Sequence, residues 1–370
     1  MNTPPLTRPL TALRDGDRPS AGGKATGLGE LIAAGLPVPA GFAVTTAAFG
    51  QAVRAVDPSG TLRQQIGRLP AENATAIAEA TAGLRARILA EPLPAAVRDE
   101  VAARYQALAG PGPDVAAAAV AGPGPDVAAA PVAVRSSATG EDSAAASFAG
   151  LQDTYLWVTG QQAVADRVRR CWASLYSVES VTYRRHQGVP EDGLAMAVVV
   201  QRMVEPRCAG VMFTRSPVTG DTSVVVLEAS WGLGSALVSG DVTPDRYVVS
   251  KVTGEIVSRV VASKLRHHQR DPAGPGVCLR DVPPALRDVP CLDDAEIRAL
   301  AGLGRTVAGH FGAPQDIEWA IDASGRIMLL QSRPETVWSG RERGPSAAPA
   351  ARPFDHVLRQ LGKPNNLAAL

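Results

Sequence analysis

The segment DIEWAID, the turn Ala323-Ser324-Gly325 and the run RIMLLQSR impose the strongest constraint on how this chain can fold. Two apolar-rich runs on either side of a short glycine-containing turn are the sequence form of a β-hairpin. Glu318 and Gln331 then lie on opposite arms, and Arg333 follows Gln331 by two residues. Residues two apart on a strand face the same side, so Gln331 and Arg333 can approach one ligand together. A carboxylate and an amide oxygen suit a hard cation such as Mg²⁺, and a neighbouring guanidinium suits phosphate. An ordinary hairpin carrying a surface ion pair would show the same residues.

The hairpin pattern recurs. MAVVVQRMV and CAGVMFTRS read as a strand pair joined by Glu205-Pro206-Arg207, and VVVLEASWG and DRYVVS add further strands. PVAVRSSATGEDSAAASFAGLQDTYLWV reads as a strand, a polar turn and a second strand. Helical spacing marks about 58–108, 161–187 and 293–311, whereas 266–292 reads as loop-rich. Residues 1–19 read as a flexible arm. After it come a Gly-rich turn, a short helix over 28–34 and a strand over 41–45. GPGPDVAAAAVA at 110–121 recurs as GPGPDVAAAPVA at 122–133, and one extra copy is too few for a solenoid. The duplication reads as a surface insertion. Everything after Glu335 turns polar and Pro-rich, so the compact body is expected to end near Ser339. The class is α+β, dominated by antiparallel hairpins.

Composition narrows the function by exclusion. Across 370 residues, 37 Lys plus Arg balance 36 Asp plus Glu, so bulk charge offers nothing to nucleic acid or an anionic membrane. The 4 cysteines form no closely spaced metal pair or disulfide framework. The N-terminal stretch is polar and proline-broken where a signal peptide is apolar, and no run approaches the roughly 20 apolar residues of a membrane span. A cytoplasmic protein is the expectation. Lysine occurs only at 24, 251, 264 and 363, which draws attention to Lys24 inside its glycine-rich segment.

Other segments carry candidate chemistry. SAGGKATGLG departs from the order of a Walker A loop but places backbone donors and an ammonium near a helix start, where anions are favoured. A purely structural turn is the alternative. An apolar strand runs into Arg135-Ser136-Ser137, whose guanidinium and hydroxyls suit phosphate oxygens, and Ser147-Phe148-Ala149-Gly150 has the form of a flap, although a solvated turn would carry the same residues. Gln201 and Met203 end an apolar strand where adenine can meet backbone and an apolar floor, as can an ordinary core strand edge. The five histidines form no zinc pattern, and His267-His268 sit in a charged loop.

Taken in order, GGKATGLGELIAAGLPVPAGFAVTTAAF, AVRSSATGEDSAAASFAGLQDTYLWV, CWASLYSVESVTYRRHQG, AVVVQRMVEPRCAGVMFTRSPVTGD, LEASWGLGSALVSGDVTPDRYVVS and DIEWAIDASGRIMLLQSRPETVWS resemble one family, over about residues 20 to 340. It is the N-terminal nucleotide-binding domain of phosphoenolpyruvate synthase, pyruvate phosphate dikinase and rifampicin phosphotransferase. The resemblance implies an α+β ATP-grasp fold, with ATP and Mg²⁺ held between an N-terminal subdomain, 20–200, and a C-terminal subdomain, 201–340, followed by a tail, 341–370. It implies that Lys24, Arg135 and Arg333 bind phosphates, that Ser147, Phe148, Ala149 and Gly150 cover them, and that Gln201, Met203 and Val204 form the adenine hinge. Glu318 and Gln331 are implied as Mg²⁺ ligands.

Such domains pass the β-phosphoryl of ATP to a histidine on a swivelling domain, with AMP and phosphate as eventual products. No TSH-type phosphohistidine motif occurs here, so the resemblance implies a separately encoded histidine-domain partner, with a substrate-binding subunit and a small-molecule final acceptor beyond it. A stand-alone kinase for an antibiotic or biosynthetic intermediate, a non-catalytic nucleotide-binding module and a fragment of a longer enzyme are the alternatives. Two positions depart from the family pattern: Ser235 stands where glutamate is common, and Leu151 where glutamine is common.

Overall fold

In a computed structural model, residues 4–109, 130–139, 142–143, 146–147, 153–191, 193–274, 276–336 and 338 are described. The first half comprises β1 (Thr7–Pro9), α1 (Arg18–Ala33), β2 (Gly41–Val44), α2 (Thr46–Val56), α3 (Thr61–Arg68), α4 (Ala74–Ala90), α5 (Ala95–Ala109) and β3 (Val132–Ala138). The two-residue strands β4 (Asp142–Ser143) and β5 (Ala146–Ser147) follow, then β6 (Thr154–Val158), α6 (Gln161–Ser174), α7 (Val178–His186) and β7 (Met196–Arg202). The second half comprises β8 (Pro206–Phe213), β9 (Val224–Trp231), α8 (Ser235–Val238), β10 (Asp245–Ser250), β11 (Ile256–Val260), β12 (Arg266–Arg270) and β13 (Val277–Asp281). It closes with α9 (Asp294–Phe311), β14 (Gln315–Asp322) and β15 (Ile327–Pro334).

Two antiparallel sheets carry the architecture, in the orders β1-β2-β7-β3-β6 and β11-β10-β9-β8-β14-β15 among the described residues. The β-branched run Val198-Val199-Val200 makes β7 a fully covered central strand, and the helices of the first half bury Val198 and Val200 with Phe49, Ile77, Val97 and Trp172. The second sheet packs Met212, Leu227, Ile317 and Trp319 against α9. That helix starts on a reciprocal cap: the Asp293 carboxylate accepts the Glu296 N–H at 2.8 Å, and the Glu296 carboxylate accepts the Asp293 N–H at 3.1 Å.

Helix α1 joins the two layers. Ala21, Ala25 and Leu28 pack on Ala43 and Val199 of the first sheet, while Leu31 enters the core of the second. The backbone continues the link: the Leu329 N–H donates to the Pro37 carbonyl at 2.7 Å and the Arg202 N–H to the Ala40 carbonyl at 2.8 Å.

Several expectations are corrected. The flexible arm is, from Pro4, part of the fold: β1 pairs with β2, and Leu6, Leu10 and Leu13 are buried. The Gly-rich turn lies within α1, which starts at Arg18 and breaks only at Gly22. MAVVVQRMV and CAGVMFTRS do not pair. Their strands, β7 and β8, belong to different sheets, and Met203-Val204-Glu205 is the crossover between them. The boundary expected at 200/201 falls inside β7. The loop-rich 266–292 contains the β12–β13 hairpin. The compact unit closes at Glu335, a few residues before Ser339. Most of the duplication, 110–129, and the tail, 341–370, lie outside the described residues.

Gly22 shows how tightly α1 is seated. Its φ of 75° is one that side chains rarely adopt, and an added Cβ would lie 2.0 Å from the Ser137 carbonyl oxygen. The Ser137 hydroxyl serves the groups freed by the break, donating to the Ala21 carbonyl at 2.9 Å and accepting the Ala25 N–H at 3.2 Å. Gly22→Ala is expected to lower stability by about 3 kcal/mol or more in urea unfolding. Gly83→Ala, in α4 where an added Cβ meets nothing within 4 Å, is expected to raise it by about 0.5–1 kcal/mol.

Candidate nucleotide site

Arg135 is the half-buried position in an otherwise buried β3, and its side chain crosses from the first sheet to the second. Its Nη2 donates to Glu318 Oε2 at 2.7 Å and to Gln331 Oε1 at 2.5 Å, and its Nη1 donates to the Leu330 carbonyl at 2.9 Å. The strand register explains the third contact. Glu318 faces Gln331 and Trp319 faces Leu329, so Leu330 is an extra residue in β15, a bulge that turns its carbonyl away from the ladder. Two oxygens of the hard kind, from a carboxylate and an amide, thus converge on one guanidinium nitrogen, Nη2 of a side chain that is only 11% exposed.

Around this cluster the sheets enclose a cavity of about 410 Å³. Gln201, Met203 and Val204 line it, as do Arg135 and Glu318, so the hinge and phosphate candidates share one space. The backbone fixes the hinge: the Met203 N–H donates to the Pro131 carbonyl at 2.9 Å, and the buried Gln201 amide donates to the Pro39 carbonyl at 3.4 Å. Gly210 contributes a flat floor. A Cβ there would lie 1.9 Å from the Glu228 carbonyl oxygen and 2.6 Å from the Trp319 ring.

Other candidates stand apart from the cavity wall. Gln331 contacts Arg135 from behind it, whereas Arg333 lies 3.5 Å from Asp316 on the neighbouring strand and is 45% exposed. Burial pushes the Asp316 carboxyl up to about 6, against the lowering effect of Arg333 and with a further rise from Glu335. Lys24 sits on α1 beside the break that is seated on Ser137, two residues along β3 from Arg135. Its charge opposes the burial that raises the Cys171 thiol. The β4–β5 hairpin carries Ser147 opposite Asp142, while Phe148, Ala149, Gly150 and Leu151 lie outside the described residues.

Sequence reasoning missed a polar chain at the cavity edge. Ser235, which lines the cavity, has its Oγ 2.8 Å from His268 Nδ1, and His268 Nε2 lies 3.5 Å from Asp241 Oδ2. Only the pair His267-His268 hinted at it, because the β12–β13 hairpin that carries His268 across to Ser235 was read as loop. No group of three or more His, Cys, Asp or Glu that could hold a metal occurs among the described residues, and no helix among them is long and apolar enough to cross a membrane.

The family model for the pyruvate phosphate dikinase AMP/ATP-binding domain matches residues 18–352. Among curated proteins, the chain is similar to a probable phosphoenolpyruvate synthase of Staphylothermus marinus, with 40% identity over 347 residues, covering 87% of this chain and 40% of that protein. A rifampicin phosphotransferase of a Streptomyces species is 44% identical over 317 residues, covering 85% of this chain and 34% of that protein. Phosphoenolpyruvate synthase of Pyrococcus furiosus is 34% identical over 395 residues, covering 96% and 47%. The chain spans less than half the length of these relatives.

The Arg135 cluster makes a direct prediction about stability. Glu318→Leu removes the carboxylate partner of a largely buried guanidinium and is expected to cost about 2–3 kcal/mol in urea unfolding. Adding Arg135→Met should recover most of that loss, because no uncompensated charge then remains between the sheets.

Proposed function

The chain belongs to the pyruvate phosphate dikinase AMP/ATP-binding domain family, and from that premise we propose that it binds ATP with Mg²⁺ between its two sheets and delivers a phosphoryl group to a histidine on a separate domain or protein. The single observation that carries this reading is the convergence of Arg135, Glu318 and Gln331 at a cavity whose other wall is the Gln201–Val204 hinge. Adenine would lie against Met203 and Val204, with Gln201 fixing the strand end beneath it. The triphosphate would run toward Arg135, with Lys24 and Arg333 meeting it from α1 and β15 and the segment Ser147 to Gly150 closing over it.

Glu318 and Gln331 fit Mg²⁺ by donor chemistry, since both offer oxygens and both already meet one cationic atom, Arg135 Nη2, whose place the ion would take when the guanidinium turns away. Bound there, the ion would neutralise the phosphate oxygens between which charge moves. This chain's residues supply the remainder. In the structure Arg135 spends its donors on Glu318 and Gln331; with nucleotide bound, the same planar fork would turn to phosphate oxygens. Such fixed donors accelerate transfer by being aimed where charge develops, in a cavity with an apolar floor.

The acceptor histidine, the AMP and phosphate products and a further substrate-binding subunit are the part of this reading that rests on the family resemblance alone. The relatives' names, phosphoenolpyruvate synthase and rifampicin phosphotransferase, suggest pyruvate or an antibiotic as the final acceptor class. Direct transfer from ATP to a small molecule is the second enzymatic reading, separated from the first by its products: ADP in place of AMP, and a phosphorylated metabolite in place of a phosphorylated partner. ATP binding without any turnover would mark a nucleotide-binding module.

Calorimetric titration with ATP and Mg²⁺ is expected to show one saturable site. Lys24→Ala and Glu318→Ala should each weaken it by about tenfold or more, equivalent to about 1.4 kcal/mol. A folded wild-type protein that takes up no ATP at millimolar concentration would overturn the reading. Arg333→Ala is expected to lower transfer by about 100-fold while leaving the ATP Kd within about threefold, the signature of a contact strongest in the transition state. Equal losses in both measurements would assign this side chain to ground-state binding.

A further inference from the structure

A second cavity, of about 470 Å³, lies beside the nucleotide cavity and shares Pro206 and Leu233 with it. Its walls are mainly apolar and aromatic, with Trp157 from β6 and Trp231 at the end of β9, and the β12–β13 hairpin closes one side. The hairpin is held close by backbone. Leu233 N–H donates to the His268 carbonyl at 2.9 Å, and an added Cβ at Gly232, whose φ is 70°, would lie 2.4 Å from the same oxygen.

Trp157 is the unusual member. It is the one non-glycine residue with positive φ among the described residues, at 56°, a conformation that is costly for a bulky side chain and that concentrates at ligand sites. The register shows how it arises. Val132 faces Val158 and Val134 faces Tyr155, so three steps on β6 match two on β3, and the extra residue forms a bulge at Leu156–Trp157. The indole that this bulge re-aims is only 6% exposed, yet its Nε1 donor has no hydrogen-bond partner among the described residues. Trp231, by contrast, donates its Nε1 to the Leu286 carbonyl at 2.9 Å.

Two further groups point the same way. His267 Nδ1 is also buried and, among the described residues, without a hydrogen-bond partner, and burial lowers the pKa of its ring. Arg270 stacks its guanidinium 5.5 Å from the Trp157 ring centre, and among the described residues no carboxylate pairs with it. The other lining cation, Arg207, is engaged by Glu296 and the Cys291 carbonyl, and Glu205 is the single carboxylate of the lining. Unsatisfied buried donors cost free energy unless something meets them.

The geometry points to a second small-molecule site here, for a flat aromatic carboxylate: its ring between the indoles of Trp157 and Trp231, its acid group toward Arg270 and the Trp157 N–H. This site is separate from the nucleotide reading and stands whether or not that reading does. Apolar walls supply the area, and a few convergent polar groups fix orientation, as in small-molecule pockets generally. The residues shared between the two cavities make them neighbours and leave each its own floor.

The probe is 2-naphthoate, titrated calorimetrically into the full chain with the neutral naphthalene-2-methanol as comparison. One saturable site with a Kd on the order of 1 mM is expected, a fragment affinity, with the neutral analogue about tenfold weaker. Arg270→Gln, on the exposed hairpin, should weaken naphthoate about tenfold and abolish the preference for the acid. Trp157→Phe keeps a ring and loses the N–H, and should weaken it about fivefold. Both variants are first checked for wild-type circular dichroism. Saturating ATP and Mg²⁺ should leave one naphthoate bound per chain. The inference is overturned if naphthoate fails to saturate, if Arg270→Gln binds it as wild type does, or if ATP displaces it completely, which would put it in the nucleotide cavity.

Discussion

The side chain of Arg135 is the interaction on which the geometry of the cavity between the two sheets depends. Burying a guanidinium is costly unless partners meet it, and here both Nη groups are met by a carboxylate, an amide and a main-chain carbonyl belonging to the other sheet, while the buried Nε has no hydrogen-bond partner among the described residues. The first sheet is thereby tied to the β14–β15 hairpin at the point where the cavity narrows. The pairing sets the positions of Glu318 and Gln331 together, so any metal or phosphate contact made there draws on one preorganised cluster.

That tie works because the rest of the fold brings the sheets together without closing the gap between them. α1 packs Leu28 toward one sheet and Leu31 toward the other, and Gly22 lets its first turn sit directly on Ser137. The crossover Met203-Val204-Glu205 leaves β7 and enters β8 along the cavity edge, giving it one wall of main chain. Two bulges finish the arrangement. The one at Leu330 presents a carbonyl to Arg135, and the one at Leu156–Trp157 turns an indole toward the neighbouring space.

Local pattern made much of this legible. The terminal hairpin, with Glu318 opposite Gln331, follows from two apolar runs and a glycine turn, and α9 follows from its capping residues and spacing. Partner choice was not legible. Val198 to Val200 and Ala209 to Met212 look like two arms of one hairpin because a three-residue link joins them, yet each finds better-covered neighbours in a different sheet. The arm at Thr7 pairs with β2 through only three residues, too short a strand for periodicity to register, and Leu6, Leu10 and Leu13 gain their burial from tertiary packing. The bulges are likewise invisible in sequence, since an extra residue in a strand leaves composition unchanged. Without them neither the Leu330 contact nor the orientation of Trp157 could be anticipated.

The polar chain Ser235–His268–Asp241 shows how a departure from a family pattern acquires a physical context. A glutamate at 235 would bring its own charge to the cavity edge; serine brings a neutral hydroxyl that reaches charge only through His268. The imidazole in turn is carried by β12, which also carries His267 and Arg270 to the second cavity. The hairpin lines the second cavity and touches the edge of the first through the His268–Ser235 contact, anchored at Gly232 and Leu233 by close backbone contact.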